Sequence, residues 1–81
     1  ETIFPGEYTY VDGNNDVICR MEVLQVEKTK VDVSSTGCFY IVQGNKNTSV
    51  GYLLAVAMEL INLTKKYCGG EHKILYQPKM T

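Results

Sequence analysis

The chain has 81 residues, 44% of them hydrophobic and 21% charged, with eight Lys or Arg set against nine Asp or Glu. A chain this short makes one small domain at most, burying only about 60% of the surface its unfolded form exposes. Its ordinary apolar fraction argues against disorder, and its net charge of −1 leaves no basic field for autonomous nucleic-acid binding.

Along the chain, Glu7 to Asp12 reads EYTYVD, an aromatic and β-branched run that predicts a strand. Gly13-Asn14-Asn15-Asp16 is dense turn chemistry, able to supply positive φ at Gly and Asn. A second strand follows from Val17 to Val23, so residues 7–23 predict an antiparallel hairpin. In this strand Val17, Cys19, Met21 and Val23 share one parity and are apolar, with Gln25 next in line. Ile18, Arg20, Glu22 and Leu24 share the other, mixed parity, which fits a dry core face and a wet outer face. Leu24 to Ser35 is less regular and reads as an edge strand plus a loop. Cys38 to Val42, after Gly37, is almost wholly apolar and predicts a central strand.

The period changes after the polar turn Gly44 to Asn47. Thr48 or Ser49 can cap a helix through its hydroxyl. Leu53, Leu54, Ala57, Leu60 and Ile61 then recur at helical spacing, with Tyr52, Glu59, Asn62 and Lys66 on the opposite stripe. Lys65 and Lys66 are expected in the last turn, and Gly69-Gly70 ends the helix. Residues 73–76 predict a short final strand, with Pro78 discouraging its continuation. The expected fold is α+β: a mainly antiparallel sheet of about four to five strands with one long helix packed on it, residues 1–81 forming a single domain or part-domain.

Three cysteines leave an odd thiol, and no C-x-x-C spacing supports a zinc site. Cys19 and Cys38 sit in apolar strands, where small buried thiols are expected, and a reducing cytoplasm is the expected compartment. The chain opens at Glu1 without Met or signal peptide, which predicts a cleaved or truncated piece of a longer protein. No run approaches 18 apolar residues, so no membrane association is expected. Two glycosylation triplets, Asn47-Thr48-Ser49 and Asn62-Leu63-Thr64, are set aside, the second because it falls inside the predicted helix.

No strong catalytic signature is present. His72, the one histidine, follows a Gly-Gly-Glu loop and reads as solvated. No glycine-rich phosphate cradle appears, and no cofactor or metal is expected. The polar set around Arg20 and Glu22, with Gln25, Thr29 and Lys30, remains as candidate chemistry, because arginine's forked donors suit carboxylates and phosphates. The bland alternative is a solvated sheet face with ion pairs contributing about 0–1 kcal/mol each.

The succession GEYTYVD, VICR, Gln25, Thr29-Lys30-Val31 and Thr36 before CFYIVQG, continuing through the helix to YCGG at Tyr67–Gly70, resembles the later part of the B3/B4 domain. That domain occurs in the β chain of bacterial phenylalanyl-tRNA synthetase and in free-standing proteins. The resemblance spans roughly residues 5 to 71 and implies that the chain is the C-terminal half of such a domain. Asp32 stands where a Thr or Ser is expected, and Gly37 where an Asn is common. The resemblance implies aminoacyl-tRNA editing, by hydrolysis of a mischarged ester, in the intact protein. It implies tRNA or aminoacyl-tRNA as a partner, together with the rest of a longer chain or a second fragment. Arg20, Gln25, Thr29 and Lys30 are the substrate-binding residues it points to, with the catalytic group unassigned. Two other classes stand beside it: a non-catalytic module binding a tRNA end or a small amino acid, and a small secreted inhibitor-like domain. An upstream signal peptide or a Cys19–Cys38 disulfide would mark the last.

Overall fold

The structure is a computed structural model that describes residues 2–30 and 33–80, with the side chains of 27–36 outside the description. Among the described residues four strands and one helix follow in the order β1 (Glu7–Val11), β2 (Val17–Lys30), β3 (Val33–Gly44), α1 (Val50–Thr64) and β4 (His72–Tyr76). They form one sheet in the order β1-β2-β3-β4, antiparallel across its first two junctions and parallel between β3 and β4. The helix packs on one face only, so the molecule has two layers and a thin core, as its length requires.

The first hairpin forms as its turn residues predict. The Asp12 carboxylate accepts from the backbone N–H groups of Asn14 and Asp16 at 2.8 and 3.0 Å, and Asn15 takes the left-handed φ of 62°. The second hairpin differs from expectation. Residues 24–30 do form an edge, since β1 pairs no further than Glu22, but residues 33–35 are strand and not loop: β2 continues to Lys30 and pairs rung by rung with β3, from Cys19↔Gly44 to Lys30↔Val33. Cross-strand pairing carries the polar segment, where side-chain alternation alone gives little sign of a strand. β1 pairs with β2 only as far as Glu22, and β4 with β3 only back to Cys38, so the far end of this ribbon projects beyond both flanking strands.

Alternation then sorts the sheet. Cys19, Met21 and Val23 of β2 and Cys38, Tyr40 and Val42 of β3 are buried against the helix. Arg20, Leu24, Phe39, Ile41, Gln43, Lys73 and Leu75 alternate with buried or helix-side residues and remain at least partly exposed on the other face.

Ser49 caps α1, its hydroxyl accepting from the Tyr52 N–H at 3.1 Å. The buried stripe is Leu53, Val56, Ala57, Leu60 and Thr64. Leu54, expected in the core, is 45% exposed, because the buried arc is centred one position away, through Val56 and Leu60. The helix also closes earlier than expected, at Thr64, with Lys65 as its cap rather than in its last turn. The Thr64 hydroxyl donates to the Leu60 carbonyl at 2.7 Å, and Tyr67 N–H and Cys68 N–H reach back three residues to Thr64 and Lys65. This tighter turn carries Cys68 inward.

Cys68 meets Cys38 there, and the two form a disulfide with Cα atoms 5.4 Å apart. Cys38 is therefore not a free buried thiol; Cys19 is, with no exposed surface. The bond ties the middle of β3 to the end of the helix. Next to it, Gly37 clears the start of β4: a Cβ there would lie 2.7 Å from the Glu71 carbonyl oxygen.

Candidate functional site

Sheet register brings a polar row and a mixed row together on the uncovered face. Thr9, Arg20 and Gln43 are neighbours across β1, β2 and β3, and Glu7, Glu22 and Ile41 form the next row. With Gln77 they line an open groove of about 580 Å³. Gln43 is held there by its amide, which donates to the Pro78 carbonyl at 2.8 Å. The Arg20 side chain is exposed and has neither a hydrogen-bond nor an ion-pair partner among the described residues.

Glu7 and Glu22 stand directly opposite each other. Like charges in that position repel, an arrangement a cation would relieve. The groove thus offers a forked donor for a carboxylate beside two carboxylates for an ammonium, over the apolar floor of Ile41.

The four residues chosen from the sequence do not converge. Arg20 is on the open face. Gln25 has the opposite parity, and its amide donates to the Tyr67 carbonyl at 2.8 Å, which steadies the turn leading to the disulfide. Thr29 and Lys30 belong to β2 opposite Ser34 and Val33, and their side chains lie outside the described residues. At about 3.3 Å per residue, the nine positions from Arg20 to Thr29 span roughly 30 Å of strand. One small ligand does not reach both ends. Glu7, Thr9 and Gln43 were missed because they come from other strands, or from the far end of β3, and Gln77 because it lies just past β4. The alternation of Phe39, Ile41 and Gln43 against Cys38, Tyr40 and Val42 was the signal available for the β3 contribution.

Elsewhere the chemistry is structural. Tyr40, fully buried, has its hydroxyl 2.9 Å from Thr64 Oγ1 and 3.3 Å from His72 Nδ1. Because Thr64 donates to Leu60, Tyr40 donates to Thr64 and accepts from His72, giving one directed chain from solvent into the core. Burial raises the Cys19 thiol above its ordinary value, which keeps it protonated and disfavours a thiolate nucleophile. Among the described residues no cluster of three His, Cys, Asp or Glu could hold a metal ion. No described helix is long and apolar enough to cross a membrane. Comparison with known proteins finds no matching family model, no matching curated protein and no matching solved structure.

Proposed function

We propose that the chain is a non-catalytic binding module for a zwitterionic amino acid or the terminus of a short peptide, working in an oxidising compartment. The observation that carries the ligand class is the unpartnered Arg20 beside the opposed Glu7–Glu22 pair in the groove. Arg20 takes the carboxylate, and Glu7 with Glu22 takes the ammonium. The Cys38–Cys68 disulfide supports the compartment, since such bonds persist where thiols are not kept reduced. The test is amide NMR titration with lysine, against N-acetyl-lysine amide as the uncharged-terminus control. Saturable shifts confined to residues 7–9, 20–22, 41–43 and 77, abolished in Arg20→Ala, are expected. Equal shifts with the blocked compound, or none at millimolar concentration, overturn the reading.

The editing function implied by the B3/B4 resemblance, with its cytoplasmic setting and tRNA partner, is the second reading. It is favoured by the exposure of Arg20, the residue that resemblance selects. Deacylation of mischarged tRNA by the intact protein, with Arg20→Ala and Thr29→Ala as controls, tests it. Hydrolysis no faster than in buffer removes it.

A further inference from the structure

Away from the groove, α1 turns an apolar ridge to solvent. Val50, Leu54 and Met58 follow one another at four-residue steps and are 66%, 45% and 55% exposed. The next residue on that ridge is the exposed Asn62. Side chains four apart on a helix are neighbours, and each Cα–Cβ bond tilts toward the helix N-terminus, so Asn62 leans back over Met58. Its amide has no hydrogen-bond partner among the described residues. Asn62 also opens the acceptor triplet Asn62-Leu63-Thr64.

We propose that Asn62 is an N-glycosylation site and that its first sugars cover the apolar ridge of α1. The inference rests on the oxidising-compartment reading given above. A helical position is no obstacle in itself, because the side chain points to solvent and the glycan occupies no space the fold needs. Thr64 fixes the order of events. Its hydroxyl is fully buried and engaged with Leu60 and Tyr40, so the triplet is read before α1 packs on the sheet.

The co-substrate is a polyprenyl-diphosphate-linked oligosaccharide. The bond from the sugar's C1 to the diphosphate oxygen breaks and a C1–Nδ2 bond to Asn62 forms. Nδ2 gives up one proton, and polyprenyl diphosphate leaves. The C–H faces of the first sugar rings then lie on Met58 and Leu54, one to two helical turns of about 5.4 Å back along the ridge. Asn47 is exposed on its turn and opens a triplet too, but no apolar ridge leads to it; it serves as the comparison site.

The experiment secretes the chain from cultured insect cells behind a cleavable leader and measures intact mass before and after peptide-N-glycosidase in ¹⁸O water. The expected result is a mass loss on treatment, Asn62 converted to ¹⁸O-labelled aspartate, and no such peptide from Asn62→Gln. The deglycosylated protein should also bind several-fold more of an apolar surface dye than the glycosylated form; equal binding overturns coverage of the ridge. Secreted protein with an intact disulfide and unmodified Asn62 overturns the glycan proposal while leaving the compartment reading standing. Three alkylatable thiols in protein taken from its own cells overturn the compartment reading, and this proposal with it.

Discussion

Replacing both Cys38 and Cys68 by alanine perturbs one bond and very little volume. The bond closes a loop of 30 residues, and in the chain-entropy model a loop of that length lowers unfolded-state entropy by about 12 cal/mol/K. At 25 °C this corresponds to about 3.6 kcal/mol of stability lost in the double variant. An 81-residue domain at roughly 0.05–0.15 kcal/mol per residue holds only about 4–12 kcal/mol in all. The variant should therefore melt about 15–30 °C lower, at roughly 4–8 °C per kcal/mol for a domain of this size. Circular dichroism melting of parent and variant at one pH reads the difference. Alkylation and mass spectrometry supply the control: the native oxidised parent should react at no cysteine, the unfolded oxidised parent at Cys19 alone, and the reduced unfolded parent at three. A melting difference under about 3 °C, or three reactive thiols without reductant, would refute the reasoning.

The helix face can be tested by contrast, with Leu60→Ala losing about 2–5 kcal/mol in urea unfolding and Leu54→Ala within about 0.5 kcal/mol of the parent. Leu60→Asp should abolish the folded circular dichroism signal altogether; a cooperative melt from that variant would contradict the packing of α1. Gly37→Ala forces a methyl group against the Glu71 carbonyl and should lower stability by about 1–3 kcal/mol, with the largest NMR shifts in β4. Tyr40→Phe leaves Thr64 bonded to Leu60 but removes the link to His72, a loss of about 1–2 kcal/mol by urea unfolding. Burial raises the pKa of Cys19 from 9.0, and burial followed by the Glu59 charge raises that of Tyr10 from 10.0. The folded state thus holds these protons more tightly, so their stabilisation is present in full below about pH 9 and is lost as pH climbs through the higher folded values. Melting across pH 8–11 should show that decline, and Cys19→Ala should remove its first part.

Much of the fold was legible because period and turn chemistry agree locally. EYTYVD, the Asp12–Asp16 turn and VICRMEV each point to the first hairpin, and the Leu53–Leu60 spacing points to α1. In residues 24–30 and 33–35 the edge position was legible but the full extent of the strands was not, since their pairing depends on a partner strand rather than on their own alternation. The disulfide was hidden for a related reason. Cys38 and Cys68 come together only after α1 ends at Thr64 and the chain tightens through Tyr67, neither of which the spacing reveals. In the groove Arg20 could be picked out, but its company could not. Glu7, Thr9 and Gln43 become its neighbours through register, while Gln25, closer in sequence, is turned to the helix side by parity.

The parallel placement of β4 sets an order of assembly. The first three strands are consecutive and antiparallel, so each pairs with a segment close to it in sequence as the chain leaves the ribosome. β4 has no such shortcut. It reaches its place beside β3 only after α1 has formed and crossed the sheet, and its first residue pairs with Cys38. Slow, non-local closure is thereby confined to the last third of the chain. Until that closure, three thiols share one partly open core, and oxidation that runs ahead of the helix would capture Cys19 in a mispaired bond.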